Sequence, residues 1–185
     1  TKSNRIKRAA KGRAVMEFGA RRAQGIDASV YGAKASYIAG IDGTSNVLTG
    51  KLFNIPVLGT MAHSWVQMFD TELEAFKAFA KSFPNNCVLL VDTYNTLQSG
   101  IPNAIKTFDE ILKPMGIRPK GIRLDSGDLA YLSKQARKML DNAGYEDAQI
   151  VVSNSLDEYT IRDLLHQEAK IDSFGIGERL ITSKT

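Results

Sequence analysis

Polar side chains that can carry out chemistry recur in this sequence directly after short apolar runs. A histidine at such a position can act as a base, a metal ligand or a nucleophile. A carboxylate there can stabilise a positive charge that develops in a reaction, accept hydrogen bonds from sugar hydroxyls or position Mg²⁺. The candidates are His63 and the carboxylates Asp92 and Asp125. Polar neighbours that could bind substrate beside them are Ser64, Thr93 and Arg123.

A second set of candidates has the character of an anion-binding site. Arg21 and Arg22 are adjacent, and a planar guanidinium group binds a carboxylate or a phosphate through two parallel hydrogen bonds. Glycine and small polar residues after other apolar runs can expose backbone N–H groups to a phosphate. The further candidates for substrate and phosphate binding are Asp42, Thr44, Ser153, Asn154, Gly175 and Gly177.

Short apolar runs alternate with longer helical patterns, and this alternation must position the candidates. Runs that are apolar throughout are typical of parallel strands buried on both faces. We predict seven strands, at residues 14–18, 40–42, 56–60, 87–92, 121–124, 149–153 and 173–176. Because functional residues of a parallel barrel lie on the loops after its strands, we expect the candidates at one end of the fold.

Helix signals fill the intervals between the predicted strands. Thr71–Glu74 and Ser155–Glu158 have the capping-box pattern, in which the first and fourth side chains satisfy backbone groups at a helix start. Asp27 is predicted to cap a helix over 28–39 that Gly40 ends. Further helices are predicted over 101–113 and 129–143, with Asp128 as the acidic residue at the start of the second.

Alternation of strands and helices with short connections predicts a parallel α/β fold. Seven units in 185 residues fall short of a complete TIM barrel, which has eight units and roughly 250 residues. We therefore predict that residues 1–185 form one partial α/β domain, an incomplete TIM-like barrel that is truncated at both ends.

The composition excludes several other classes of protein. Hydrophobic residues make up 43% of the chain and charged residues 24%, as in soluble globular proteins. No apolar run approaches the roughly 20 residues of a membrane helix, and residues 1–13 lack a signal-peptide pattern. The single cysteine, Cys87, excludes a disulfide within the chain and favours a cytoplasmic protein.

Positive charge is concentrated at the start of the chain. Residues 1–26 contain eight Lys and Arg residues against one acidic residue, Glu17. Such a block attracts phosphate-rich partners, which include both polyphosphate substrates and nucleic acids. RNA binding is not favoured, since no aromatic ladder or nucleic-acid module accompanies the charge. No other ligand lies at metal-binding spacing from His63, so we predict no metal site made by the protein alone.

Six segments of the sequence resemble, in order, the signature segments of the nicotinate phosphoribosyltransferase family. They are Glu17–Gly25, Gly43–Asn46, Gly59–Ser64, Val91–Tyr94, Arg123–Asp128 and Phe174–Gly177. Each segment alone is a weak signal, but six in the same order form a strong one that runs through nearly all of the chain. The bacterial form of the family is the more similar.

The resemblance implies an enzyme of NAD biosynthesis that makes nicotinate mononucleotide and pyrophosphate from nicotinate and phosphoribosyl pyrophosphate. It implies coupling to ATP hydrolysis through phosphorylation of His63, and Mg²⁺ that is bound with the substrate phosphates. It also implies a homodimer with shared active sites, and an N-terminal domain and C-terminal stretch that this chain lacks. We expect residues 1–185 alone to be inactive.

The resemblance also implies roles for single residues. Arg21 or Arg22 binds the nicotinate carboxylate or the phosphoribosyl phosphates, and Asp125 binds the ribose hydroxyls with Arg123 beside it. Asp92 is a further catalytic carboxylate.

By the same resemblance, the glycine loop at Gly175 and Gly177 binds the 5′-phosphate. Glu178 follows this loop, where we expect a small residue with a hydroxyl group. Two alternatives stay open: nicotinamide phosphoribosyltransferase, which has the same fold and reaction, and an inactive fragment or binding module of that fold.

Overall fold

The computed structural model of the protein describes residues Thr1–Thr182. In this part of the chain nine α-helices alternate with strands and short helical turns. The helices are α1 (Lys2–Ala9), α2 (Ile26–Ile38), α3 (Val47–Phe53), α4 (His63–Gln67), α5 (Glu72–Ser82), α6 (Ile101–Thr107), α7 (Leu129–Asn142), α8 (Glu158–His166) and α9 (Glu178–Ile181).

Six strands form one sheet in the order β2-β1-β6-β5-β4-β3. They are β1 (Ala14–Glu17), β2 (Gly43–Thr44), β3 (Val88–Leu90), β4 (Gly121–Leu124), β5 (Gln149–Val152) and β6 (Ser173–Ile176). The pairs β1–β2, β1–β6 and β3–β4 are parallel, with Met16 opposite both Gly43 and Gly175. The predicted parallel α/β class is confirmed. The sheet is open, since β2 and β3 are its outer strands within the described residues, and a closed barrel is not present.

The chain forms two compact units. Unit 1 consists of Thr1–Gly59, Val152–Glu168 and the described residues from Asp172 onward. Unit 2 consists of Thr60–Val151 and Ala169–Ile171. The fully buried side chains of unit 1 include Ile6, Val15, Phe174 and Ile176, and those of unit 2 include Phe76, Leu89, Phe108 and Ile122. Each unit therefore has an apolar core of its own.

The strands predicted at 14–18, 87–92 and 149–153 are one to three residues shorter in the structure, and two others of the seven differ more. The second strand is Gly43–Thr44 and not residues 40–42, because Gly40 adopts a φ of 100° at the end of α2. The predicted strand at 56–60 is reduced to one bridge between Val57 and Thr44. Pro56 lacks an N–H group to extend the ladder, which is consistent with so short a pairing.

The capping box at Thr71 is confirmed. The Thr71 hydroxyl accepts a hydrogen bond from the Glu74 N–H, and the Glu74 carboxylate accepts one from the Thr71 N–H. The second predicted box is wrong, because α8 begins after Asp157 and not after Ser155. The Asp157 carboxylate accepts from the N–H groups of Tyr159 and Thr160, so one acidic side chain caps this helix by itself.

Two other predicted helices differ from their bounds by more than one residue. α2 begins at Ile26 after Gly25, so Asp27 lies in its first turn and does not cap it. The helix predicted over 101–113 is interrupted at Thr107, and Phe108–Leu112 continues as a π-helical turn. The short helix α9 follows β6 directly, where the sequence analysis placed no helix.

Candidate functional site

The carboxylate of Asp92 is the centre of a hydrogen-bonded cluster in unit 2. Asp92 lies just beyond the end of β3, and its side chain is 1% exposed. Its Oδ1 atom lies 3.2 Å from Nε2 of His63. Its Oδ2 atom accepts hydrogen bonds of 2.7 Å from the Asp125 N–H and from the Ser126 hydroxyl. We call these four residues the Asp92 cluster.

His63 is the most exposed titratable side chain of the Asp92 cluster. It is the first residue of α4, and its side chain is 39% exposed. An imidazole that donates from Nε2 to a carboxylate keeps a lone pair on Nδ1. The geometry therefore suits a histidine that acts as a nucleophile or base through Nδ1 while Asp92 holds its ring.

Arg123 supplies a positive charge beside the Asp92 cluster. It lies in β4, and its guanidinium group is 3.1 Å from Oδ1 of Asp125. The same group donates to the Thr60 hydroxyl at 2.6 Å and to the Met61 carbonyl at 3.1 Å. Both side chains of the ion pair are largely buried, at 15% and 23% exposed. Arg123 thus ties the loop before His63 to the residue that follows β4.

Two other candidates in unit 2 differ in their surroundings. The Thr93 hydroxyl is buried and has no hydrogen-bond partner in the described part of the chain. A buried polar atom without a partner is costly, and such an atom next to a candidate site suggests that a ligand or water completes it. Ser64, in contrast, is an exposed residue of α4.

The two adjacent arginines of unit 1 lie in a short 3-10 turn, Ala20–Arg22, which we call the arginine turn. Both are exposed. Nε of Arg22 lies 3.6 Å from Oε2 of Glu178, the residue that departs from the expected pattern. Glu178 is therefore directed toward an arginine, which explains how a carboxylate is accommodated at the start of α9.

Glu17 is a buried carboxylate that the sequence analysis did not select as a site residue. It is 1% exposed, accepts a 2.5 Å hydrogen bond from the Thr44 hydroxyl, and accepts a second from the Gly19 N–H. Burial raises the pKa of Glu17, and the two hydrogen bonds act in the opposite direction. The available signal was an acidic residue at the end of an otherwise apolar strand.

Thr44, a predicted substrate-binding residue, uses its hydroxyl group for hydrogen bonds within the protein. Its hydroxyl proton is donated to Glu17, and its oxygen accepts from the Asn46 N–H at 3.0 Å. Thr44 itself is 1% exposed. Its hydroxyl therefore joins the loops after β1 and β2.

Asp42 lies before β2, because that strand begins at Gly43, three residues later than predicted. Its Oδ2 atom accepts from Lys7 at 2.5 Å and from the Val15 N–H at 2.7 Å. These contacts place Asp42 beside the first half of β1, whereas Thr44 lies beside the residue that ends β1. The structure does not bring Asp42 and Thr44 to the same end of the strand pair.

The predicted phosphate-binding residues all lie in unit 1: Ser153 and Asn154 follow β5, Gly175 lies within β6 and Gly177 follows it. Ser153 is buried, and Asn154 has a φ of 122°, a conformation rarely adopted by residues other than glycine. Backbone strain of this kind is concentrated at functional sites. A Cβ atom at Gly175 would lie 2.5 Å from the Phe18 ring, so this glycine is required by the loop after β1. Gly177 is the N-cap of α9.

A cleft of about 770 Å³ also opens in unit 1, among residues of α1, α8 and α9. Its charged groups are paired, with Arg5 against Glu158 and Arg179 against Asp157. None of the four predicted phosphate-binding residues is among those that line it. The cleft reaches the arginine turn only through Glu178, which pairs with Arg22.

Among the residues that the structure describes, no group of three or more His, Cys, Asp and Glu side chains could hold a metal ion. Within Thr1–Thr182, no helix combines the length and the apolar character that a membrane span requires.

Comparison with known proteins decides the family. The sequence profile of the nicotinate phosphoribosyltransferase (NAPRTase) family matches residues 13–185. The chain belongs to this family. The chain is 53% identical over 185 residues to the nicotinate phosphoribosyltransferase of Bacillus subtilis, and 48% identical over 186 residues to one of Mycobacterium tuberculosis. The resemblance carried by the six sequence segments is confirmed.

The likeness of the chain to nicotinate phosphoribosyltransferases extends to their fold. The crystal structure of human nicotinic acid phosphoribosyltransferase aligns with a TM-score of 0.87 at 30% identity. The match covers 96% of this chain and 46% of the human chain. The two bacterial alignments cover 99% and 100% of this chain but only 37% and 39% of those proteins. The chain thus spans less than half the length of these relatives.

Proposed function

We propose that the protein is a nicotinate phosphoribosyltransferase of NAD biosynthesis. It joins nicotinate to phosphoribosyl pyrophosphate and forms nicotinate mononucleotide and pyrophosphate. The observation that carries the proposal is the family match over residues 13–185, which includes the Asp92 cluster and the arginine turn. Nicotinamide phosphoribosyltransferase is not favoured, since the relatives with the matching sequence are named for nicotinate.

The bond-forming step needs charge stabilisation at the ribose. The pyridine nitrogen of nicotinate attacks C1 of the ribose as the bond from C1 to the pyrophosphate oxygen breaks, and pyrophosphate leaves with the bonding pair. Positive charge develops on the ribose ring, and a fixed carboxylate stabilises it. We assign this role and the binding of ribose hydroxyls to Asp125, which Arg123 and the backbone contact with Asp92 hold in place.

Unit 1 is proposed to bind the anionic parts of the substrates. We assign the nicotinate carboxylate or a phosphoribosyl phosphate to Arg21 and Arg22, because the exposed arginine turn presents two guanidinium groups. The 5′-phosphate is assigned to the residues that follow β5 and end β6, where Ser153, Asn154, Gly175 and Gly177 lie. The Thr44 hydroxyl is engaged with Glu17 and the Asn46 N–H, so we assign it no substrate contact.

ATP is proposed as a second substrate that phosphorylates His63. Because Asp92 lies against Nε2, Nδ1 is the nitrogen that can attack the γ-phosphorus of ATP, and ADP leaves. The phosphorylated histidine favours the substrate-bound state and does not take part in the glycosidic bond. With no metal cluster among the described residues, Mg²⁺ would be held mainly by substrate phosphates and would neutralise the leaving pyrophosphate.

Several properties of the whole protein belong to the same proposal. We propose a cytoplasmic homodimer with shared active sites, an N-terminal domain outside this chain, and a barrel to which the open sheet of residues 1–182 contributes six strands. The share of the relatives that the chain spans, 37% and 39%, supports the part of the proposal that concerns further domains. Residues 1–185 alone are then expected to be inactive.

The decisive experiment supplies the full-length protein with phosphoribosyl pyrophosphate, Mg²⁺ and ATP, and with either nicotinate or nicotinamide. The proposal expects mononucleotide and pyrophosphate in equal amounts with nicotinate, and a turnover at least tenfold lower with nicotinamide. The variant Asp125→Asn is the matched negative control. Preference for nicotinamide would support the alternative enzyme, and no product with either base would support an inactive protein of this fold.

A further inference from the structure

The buried carboxylate of Glu17 has no part in the proposed reaction, although it lies where β1 ends and the loop to the arginine turn begins. It is the first residue of the segment Glu17–Gly25 and is 1% exposed. Its two oxygens serve different loops: Oε1 accepts from the Gly19 N–H, and Oε2 accepts from the Thr44 hydroxyl at 2.5 Å. One side chain therefore joins the loop after β1 to the end of β2.

We propose that Glu17 is a positioning residue, which holds the arginine turn in the orientation that binds the anionic substrate. The inference rests on the proposed function, because it concerns the residues that bind nicotinate or a phosphoribosyl phosphate. Glu17 itself touches no substrate. It acts through the backbone of Gly19. The Glu17 carboxylate accepts a hydrogen bond from the Gly19 N–H, and the Gly19 carbonyl accepts one of 2.8 Å from the Arg22 N–H.

The Gly19 peptide is fixed on both sides, so its orientation sets that of the turn. A Cβ atom at Gly19 would lie 2.6 Å from Cβ of Ile181, so the loop is closely packed against α9. The neighbouring Phe18 N–H donates to the Ile176 carbonyl at 2.8 Å. Loss of the Glu17 contact would leave the Gly19 N–H buried without an acceptor, and the turn would have to move to satisfy it.

A carboxylate is the side chain that suits this position. Two donors converge on Glu17, and an ionised carboxylate accepts from both without presenting a proton of its own. The two donors approach different oxygens of Glu17, and in glutamine one of these oxygens is replaced by an NH₂ donor, so the Gly19 N–H and the Thr44 hydroxyl cannot both keep their present hydrogen bonds. Burial of a charge carries a free-energy cost, which hydrogen bonds to the carboxylate offset in part. The buried carboxylate of Glu17 is thus held by two hydrogen bonds, one of them from the segment that leads to the arginine turn.

The sign of the effect separates positioning from simple electrostatics. If Glu17 acted only through its negative charge, neutralising it would strengthen the binding of an anion to the arginine turn. Positioning predicts the reverse. In the full-length protein, Glu17→Gln should raise the KM for nicotinate or for phosphoribosyl pyrophosphate by roughly tenfold, with kcat changed less than about threefold.

Matched variants keep the test independent of folding. Glu72→Gln removes a buried carboxylate of unit 2 that accepts from Asn103, and should leave both KM values unchanged. Thr44→Ser keeps the hydroxyl and should behave as the wild type, whereas Thr44→Val should raise the same KM as Glu17→Gln. If Glu17→Gln does not fold, the Thr44 pair alone decides.

Three outcomes are distinguishable. The positioning role is supported if KM rises in both Glu17→Gln and Thr44→Val and does not rise in Thr44→Ser or Glu72→Gln. Unchanged or lower KM values in Glu17→Gln, or in Thr44→Val, overturn it. Lack of turnover by the wild-type protein counts against the proposed function instead, and melting temperatures of all variants report any general loss of structure.

Discussion

His63 and Asp92, which are 29 residues apart in the sequence, meet with Nε2 of the imidazole 3.2 Å from Oδ1 of the carboxylate. The other oxygen of the same carboxylate accepts from the Asp125 N–H at 2.7 Å. One buried side chain therefore orients the histidine assigned to phosphoryl transfer and fixes the backbone of the residue assigned to ribose. In the proposed mechanism, Asp92 would therefore connect the histidine that reacts with ATP to the residue that binds the ribose.

The Asp92 contact predicts a defect in histidine phosphorylation. In Asp92→Asn the amide oxygen would face the Asp125 N–H and the Ser126 hydroxyl, so the NH₂ group would face Nε2 and favour a proton on Nδ1. Labelling of His63 by γ-phosphate-labelled ATP should fall by roughly tenfold or more, by analogy with carboxylates that hold a histidine tautomer.

His63→Ala should abolish labelling and ATP hydrolysis but retain slow ATP-independent synthesis. Undiminished labelling of His63→Ala would rule out this residue.

Asp125 is expected to govern the rate of glycosidic bond formation. Asp125→Asn should lower kcat by roughly 10²-fold, the order of magnitude for loss of one fixed electrostatic contact. Asp128→Asn is the matched control, because Asp128 caps α7 by accepting from the Tyr131 N–H and asparagine caps equally well. Steady-state kinetics of mononucleotide formation measure both. A normal kcat in Asp125→Asn would exclude it from the reaction centre.

Asp157 should stabilise the fold in a pH-dependent way. Burial alone would raise its pKa, but hydrogen bonds from Thr160 and the ion pair with Arg179 outweigh burial and lower the pKa. A carboxyl group with a lowered native pKa stabilises the fold above its unfolded pKa, and this contribution is lost as pH falls through the native value. Asp157→Ala should cost about 0.5–2 kcal/mol at pH 7 through the lost cap.

Urea unfolding at a series of pH values tests this expectation. The difference between wild type and Asp157→Ala should shrink as the medium becomes more acidic than the usual aspartate range. Asp163→Ala, at an exposed position of α8, should have little effect at any pH. A difference that is constant over the whole pH range would show that the charge of Asp157 makes no contribution.

The thiol of Cys87 should be inert in the folded protein. Cys87 is fully buried, and burial raises its pKa to about 12. Thiol reagents attack through the thiolate, which is scarce at pH 8 in such a site. A chromogenic disulfide reagent should therefore react only after denaturant is added. Stoichiometric labelling of the native protein within minutes would contradict the burial of this side chain.

Residues 1–185 expressed alone should not form nicotinate mononucleotide. The physical reason is that the chain spans only 37–39% of its bacterial relatives, and its sheet has open edges at β2 and β3. Mononucleotide formation is compared at equal concentration with the full-length protein. Comparable turnover would mean that the active site is complete within this chain.

Local patterns in the sequence were sufficient for several elements. The apolar runs at Gly121–Leu124 and Ser173–Ile176 were predicted with their observed bounds, because strands buried on both faces carry a continuous apolar signal. The Thr71 capping box was likewise predicted correctly, since both of its hydrogen bonds lie within four residues. The cap of α8 was missed because Asp157 competes with Ser155 for the same role, and a pattern of residue types does not distinguish them.

The sequence by itself determined the family and the parallel α/β class, because six motifs in order and the alternation of apolar runs are both properties of the linear chain. Only the tertiary structure decided which side chains meet. Contacts of Asp92 with His63 and Asp125, and of Glu17 with Thr44, join residues 27 to 33 positions apart. Such pairings depend on the register of neighbouring strands. Because β2 begins at Gly43, three residues later than predicted, Asp42 precedes the strand while Thr44 ends it.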